Sequence, residues 1–321
     1  MSHASRARAG ALVVAVLLVA AASCAKPPRV TRPDPALLER DLEVGGRERS
    51  YLFFAPPGAD PKTPRPLVLV FHGGGGSATS AARLTRFRPL AAEQGFLVAF
   101  PNAVGGHWND GRDDDFAASM RENVDDVAFV DALIDDVART HAVDPRRIYA
   151  TGVSNGGIFV HRLAAERASR IAAIAPVVGG IAEPFAKRFA PAAPVSVLVI
   201  QATDDPLMPY DGGAVEGGGR GRIVATDTAV HLWSLHDGCP RAVRSERLPD
   251  SDPTDGCLAT LETRSGCRDG SVVSLLRLDG GGHTWPGGPA YLPRSAVGAV
   301  CRDVDATRTI WAFFAAHPKP E

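Results

Sequence analysis

The segment Gly152-Val153-Ser154-Asn155-Gly156 constrains this chain more than any other five residues. A serine flanked at two removes by glycines fits a strand that turns sharply into a helix. Such a turn holds the serine in a strained backbone conformation and lifts its hydroxyl above the edge of a sheet. The glycines let strand and helix approach where side chains would intervene. The context agrees: residues 148–151 form a short apolar run, and residues 155–168 have helical spacing.

The rest of the sequence supplies a sheet for such a turn to stand on. Residues 51–54, 67–71, 96–100, 171–178, 195–201 and 272–278 are further apolar runs of strand length. Several are apolar throughout, as expected of strands buried on both faces. Between them, residues 81–94, 124–140, 226–236 and 303–316 read as helices. In residues 124–140, Val127, Val130, Leu133, Ile134 and Val137 share one helical face. Strand, helix and strand in repetition predict an α/β domain with a mainly parallel sheet and helices on both faces. The glycine-rich stretch 212–221 reads as a mobile surface loop.

Residues 1–23 read as an export signal. Arg6 and Arg8 precede an apolar run from Ala11 to Ala22. At 1.5 Å per residue that run is roughly 18 Å long, too short to span a bilayer. Ala21-Ala22-Ser23-Cys24 resembles a bacterial lipoprotein box, so Cys24 is expected to carry lipid. Residues 24–40 then form a proline-rich tether, and residues 41–321 the catalytic domain. The expected location is the cell envelope, with contact to the membrane through the lipid alone.

Four of the chain's 5 cysteines remain, Cys239, Cys257, Cys267 and Cys301. An even set in an exported chain predicts two disulfides. Of the three connectivities, the one expected here is Cys239–Cys267 with Cys257–Cys301. The 35 basic and 36 acidic side chains are interspersed and give a net charge of −1, which removes the electrostatic case for nucleic-acid binding. The acidic run Asp113-Asp114-Asp115 reads as a solvated loop. No metal or organic cofactor is expected, and nothing in the sequence assigns an oligomeric state.

A serine hydroxyl is a weak nucleophile until a base takes its proton. His283, in Gly280-Gly281-Gly282-His283-Thr284-Trp285-Pro286, lies on a loop directly after the last predicted strand, which suits it for that base. His231 and His236 fall in a helix and read as structural. His161 reads as packing or solvent-facing, and His141 as a helix-end residue. An acid must orient the imidazole, and Asp204 and Asp205, just past residues 195–201, are both placed to do so. Two backbone N–H groups must meet the developing oxyanion. Asn155 supplies one; Gly74, in His72-Gly73-Gly74-Gly75-Gly76, supplies the other, with Gly73 and Gly75 as alternates. A dinucleotide loop traced from Gly73 to Ala78 lacks its acid after the next strand, and no Gly-Lys-Ser/Thr marks a P-loop.

On these residues the chain resembles the polyhydroxybutyrate-depolymerase/feruloyl-esterase group of carbohydrate-esterase-like α/β hydrolases. The likeness runs through Val70–Gly75, Asp125-Asp126-Val127-Ala128-Phe129, Asp144–Tyr149 into Gly152–Gly157, Thr203–Tyr210 and Gly282–Gly287. It extends to the closing helix with Ile310-Trp311. It implies the α/β-hydrolase fold, a serine esterase acting through an acyl-enzyme, and Asp205 rather than Asp204 as the acid. Gln201-Ala202 departs from the His-Gly usual before that acid, which touches loop packing. Trp108 and Trp285 are expected to line the cleft and bind substrate, an apolar face for an ester's acyl group or sugar. Two rival functions are a peptidase or amidase on the same fold, and a glycan-binding surface lipoprotein without catalysis.

Overall fold

The computed structural model describes residues 34, 36–215 and 219–320. The expected leader, Cys24 and most of the tether lie outside them. Twelve strands are present among the described residues: β1 (Leu38–Val44), β2 (Arg47–Phe54), β3 (Arg65–Phe71), β4 (Leu97–Pro101), β5 (Val143–Val153), β6 (Ala173–Val177), β7 (Ser196–Ala202), β8 (Gly213–Ala214), β9 (Arg222–Ile223), β10 (Arg244–Arg247), β11 (Leu258–Arg264) and β12 (Val273–Asp279). Ten of them form one sheet in the order β1-β2-β4-β3-β5-β6-β7-β12-β11-β10. The central strands from β4 to β12 are parallel, and antiparallel pairs close both ends. This is the α/β-hydrolase arrangement. β1 begins at Leu38, so residues 38–40 belong to the sheet and not to the tether.

Each central strand serves two cores because successive side chains alternate in direction. In β3, Leu67, Leu69 and Phe71 face one core, and Val68 and Val70 face the other. The first core is covered by α4 (Asp126–Thr140), α5 (Asn155–Glu166) and α7 (Thr226–His236). α1 (Ala78–Thr85), α2 (Phe87–Gln94) and α9 (Ala306–Ala316) cover the second. Short turns α3 (Ala118–Arg121), α6 (Glu183–Ala186) and α8 (Arg294–Val297) lie in the connections.

The sequence expected one helix over residues 81–94, and the structure divides it. Arg86 adopts φ 54° and ψ 26° between α1 and α2. Pro89 is the cause: in a continuous helix its ring would meet the carbonyl of Thr85. That carbonyl instead accepts a hydrogen bond from the Thr307 hydroxyl of α9. The glycine-rich stretch is also partly ordered, since Gly213 and Ala214 pair with Ile223 and Arg222. The disulfides join Cys239 to Cys267 and Cys257 to Cys301.

Candidate active site

Ser154 sits between the end of β5 and the start of α5, with φ 59° and ψ −125°. A non-glycine residue at positive φ is strained and persists only where the surroundings impose it. Here the imposition is a crossing of bare backbones. A methyl group on Gly156 would lie 2.5 Å from the His72 carbonyl oxygen and 2.6 Å from that of Phe71. On Gly152 it would lie 2.7 Å from the backbone of Gly156. The Ser154 N–H donates to the Val177 carbonyl of β6 at 3.0 Å, which locks the turn to the neighbouring strand.

Asp205 follows β7 and His283 follows β12, so all three groups stand at the C-terminal ends of nearby parallel strands, where ligands of open α/β sheets gather. His283 Nδ1 donates to Asp205 Oδ2 at 2.7 Å, and both residues are buried. Asp205 Oδ1 accepts the N–H groups of Leu207 and Met208, each at 2.8 Å. The carboxylate is therefore fixed at both oxygens. Asp204, the other candidate from position, takes the Thr203 hydroxyl instead. Buried Gln201, where the resemblance led us to expect histidine, donates to the Met208 carbonyl and braces the same loop. The His283 loop is held by backbone bonds from His283 to Val297 and from Gly282 to Ala299, and by the Tyr291 hydroxyl donating to the His283 carbonyl.

Ser154 and His283 line one cavity of about 470 Å³, together with Gly73 to Gly76, Asn155, His107, Phe116 and Met208. The Gly75 N–H is taken by the Gly106 carbonyl at 2.9 Å, and the Gly76 N–H by that of Gly73 at 3.0 Å. The N–H groups of Gly74 and Asn155 have no partner among the described residues. A methyl on Gly74 would come 3.7 Å from Asn155 Cβ, and one on Gly73 3.3 Å from Ser154 Cβ, so the glycine loop lies directly against the elbow.

His72 anchors that loop. Its Nε2 accepts the Ala103 N–H, so the proton stands on Nδ1 and is donated to the Gly73 carbonyl. Burial lowers its pKa to about 4. His161, fully buried, accepts the Trp233 indole N–H, and burial lowers its pKa to about 3.

The expected roles of Trp108 and Trp285 are corrected by their positions. Trp108 is 0% exposed and Trp285 1%, and neither lines the cavity. Trp108 packs on Phe71 and Phe159 and donates its indole N–H to the His72 carbonyl. Trp285 donates to Thr307 and packs edge-on against Phe87. Both rings are scaffold, because their apolar surface is worth more inside the two cores than in a wet cleft.

Asp110 and Arg112 were not foreseen from the sequence. Both are buried, and Arg112 donates to both carboxylate oxygens of Asp110. Asp110 Oδ2 also accepts the Asn155 side-chain amide at 2.6 Å, while Asn155 and the Trp108 backbone exchange two hydrogen bonds. Asn155, the residue after Ser154, is thus clamped from its side chain. Burial pushes the Asp110 carboxyl upward and Arg112 opposes it. Asp126 does a parallel service: it pairs with buried Arg49 at 2.6 Å and accepts the Asn109 N–H. Asp110-Gly111-Arg112 carries no periodic signal, and an Asp-x-Arg on a loop looks solvent-exposed in one dimension.

Comparison with known proteins shows the family. Residues 49–216 match the model of the esterase PHB depolymerase family. A putative esterase, NocK, of Nocardia uniformis subsp. tsuyamanensis is 33% identical over 291 residues, covering 87% of this chain and 83% of its own. Feruloyl esterase C of Emericella nidulans is 27% identical over 248 residues, covering 68% and 86%. Among solved structures, acetyl xylan esterase from Aspergillus awamori superposes with a TM-score of 0.56 at 13% identity, covering 77% of this chain and 94% of that one, a likeness of fold. The chain belongs to the esterase PHB depolymerase family and is a carboxylic ester hydrolase of the α/β-hydrolase fold.

Proposed function

We propose that Ser154 is the nucleophile, His283 the general base and Asp205 the acid that orients it. The observation that carries this reading is the buried 2.7 Å bond between His283 Nδ1 and Asp205 Oδ2 at the wall of the cavity that also holds Ser154. In the neutral ring a proton on Nδ1 leaves a lone pair on Nε2. His283 takes the Ser154 proton as Oγ attacks the ester carbonyl. The N–H groups of Gly74 and Asn155 receive the negative charge on the tetrahedral oxygen. His283 returns the proton to the departing alcohol, and water repeats the sequence on the acyl-enzyme. Replacing Ser154 by Ala is expected to lower kcat by several orders of magnitude. A fluorophosphonate should label the wild-type protein once and Ser154→Ala not at all. Stoichiometric labelling of the variant would remove Ser154 from this role.

The substrates belong to the small or oligomeric carboxylic esters. The names of the relatives, feruloyl and acetylxylan esterases, support acyl groups of modest size, as does the cavity volume. Two disulfides fit folding in an oxidising compartment. We place the chain outside the cytoplasm, with residues 1–23 as its signal, Cys24 as the lipidated anchor and residues following it as the tether. Metabolic labelling with a fatty-acid probe tests the anchor: wild type should incorporate it and Cys24→Ser should not, partitioning instead into the soluble fraction.

A further inference from the structure

The segment Trp108-Asn109-Asp110 touches both stretches of chain that carry the oxyanion donors. On one side the Trp108 indole N–H donates to the His72 carbonyl at 3.0 Å, two residues before Gly74. On the other side Asn155 Oδ1 accepts the Trp108 N–H at 2.8 Å. Asn155 Nδ2 donates to the Trp108 carbonyl at 3.1 Å and to Asp110 Oδ2 at 2.6 Å. The middle of the segment is anchored separately. The Asn109 N–H donates to Asp126 Oδ2 at 2.7 Å, and Arg162 of α5 donates to the Asn109 carbonyl at 2.7 Å. All three residues are buried. They form a splint between the glycine loop and the elbow.

Asp110 closes that splint onto Asn155. The Asn155 amide has one acceptor oxygen and two N–H donors. Backbone groups of Trp108 take the oxygen and one donor, and Asp110 takes the other, so the side chain has no freedom left. An ion pair buried this deeply adds little stability by itself, because desolvation offsets most of its attraction. The carboxylate is also a liability to the reaction: its charge, one hydrogen bond from Asn155, opposes negative charge growing at the Asn155 N–H. Arg112 cancels that charge. Its Nε lies within 3.1 Å of both Asp110 oxygens and its Nη2 3.0 Å from Oδ2, while Nη1 donates to the Arg220 carbonyl at 2.6 Å. Resting on the proposed roles of Ser154, Gly74 and the Asn155 N–H, we infer that Asp110 is a positioning residue for the ester hydrolysis. Neutralised by Arg112, it holds Asn155 by its side chain and so sets where that N–H stands relative to the N–H of Gly74.

The test compares Asp110→Asn, Asn155→Ala and the double variant with wild type on 4-nitrophenyl acetate, with thermal melts to establish folding. An asparagine at 110 has one oxygen for two donors, Arg112 and Asn155. Asn155→Ala keeps the backbone N–H and loses the clamp. Each single change should lower kcat by about 10- to 100-fold, the effect of a donor displaced and not deleted, while KM stays within about threefold. The Ki of phenylboronic acid, which sets a tetrahedral oxygen where the oxyanion forms, should rise by the same factor as kcat falls. The double variant should be no slower than Asn155→Ala, because Asp110 acts through that side chain. If Asp110→Asn does not fold, Asn155→Ala decides alone, since it leaves the ion pair whole. A folded single variant with kcat within about threefold of wild type overturns the inference. So do a loss carried by KM with Ki unchanged, and losses that multiply in the double variant. Each of these leaves the nucleophile standing as long as a fluorophosphonate labels wild-type Ser154; absence of that label removes the reading beneath and the inference with it.

Discussion

Replacing Asp205 by Asn tests the orientation of His283 more sharply than deleting either residue. The side chain keeps its shape and loses one acceptor. Oδ1 of Asp205 holds two backbone N–H groups, those of Leu207 and Met208, at 2.8 Å each. The amide oxygen of the variant stays there, because turning the amide would point an NH₂ at two N–H donors. The NH₂ then faces His283 Nδ1. Two donors cannot meet, so the ring moves its proton to Nε2 and loses the lone pair that the proposed mechanism requires to receive the serine proton. Recovering the working tautomer means flipping the amide and leaving two buried N–H groups unpaired, about 1–3 kcal/mol each, or roughly 2–6 kcal/mol together. At 1.36 kcal/mol per decade, kcat should fall between about 30-fold and about 10⁴-fold. The upper end matches the effect of the same change in a serine protease. The assay is kcat on 4-nitrophenyl acetate, with a thermal melt to establish that the variant is folded. A folded variant within about fivefold of wild type would refute the orienting role.

Gly156→Ala brings a methyl within 2.6 Å of two backbone carbonyl oxygens; urea titration should show a loss of about 3 kcal/mol or more. Trp108→Ala should cost about 3–5 kcal/mol of stability. Its kcat/KM ratios among esters of different acyl groups should stay level, because the ring touches core and not cavity. His72 and His161 have folded pKa values of about 4 and about 3, below the usual 6.5. The unfolded chain therefore binds more protons between pH 6.5 and those values, and stability falls as pH falls through that window. For His72 the shift corresponds to about 3 kcal/mol at the bottom of the window. Denaturation midpoints at pH 7 and pH 4.5 should differ accordingly, and His161→Phe should flatten the dependence.

The sheet was legible because its central strands are apolar on both faces, a signal that survives in one dimension. The elbow was legible for a related reason. Where two backbones cross within reach of one another, no residue but glycine fits, and the crossing leaves its print on the sequence. The edge strands β10 and β11 were not foreseen. They carry polar residues such as Arg244, Glu246, Glu262 and Arg264, because β10, at the end of the sheet, is exposed along its whole length and β11 beside it is only half-buried except at Ala259. The pause between α1 and α2 depended on Pro89, whose effect is felt four residues earlier. In the site, the choice between Asp204 and Asp205 needed a resemblance, since adjacent acids differ only in where their side chains point. The tryptophans misled for a like reason: a large ring reads as a ligand surface or as core with equal ease until its surroundings are known. Asp110 and Arg112 give no pattern, because they act through a loop folded back on α5.

The bond between Cys257 and Cys301 reaches further than the edge of the sheet. Cys301 ends the stretch, residues 297–301, against which the His283 loop is laid by its hydrogen bonds to Val297 and Ala299. Asp255, next but one to Cys257, takes the Arg302 N–H, and its carbonyl takes Arg294. The sulfur bridge, closing a loop worth about 4 kcal/mol in chain entropy, thus backs the shelf on which the imidazole rests. Gentle reduction should blunt turnover at temperatures where the remainder of the domain stays folded, tying the competence of the hydrolase to the redox state of its surroundings.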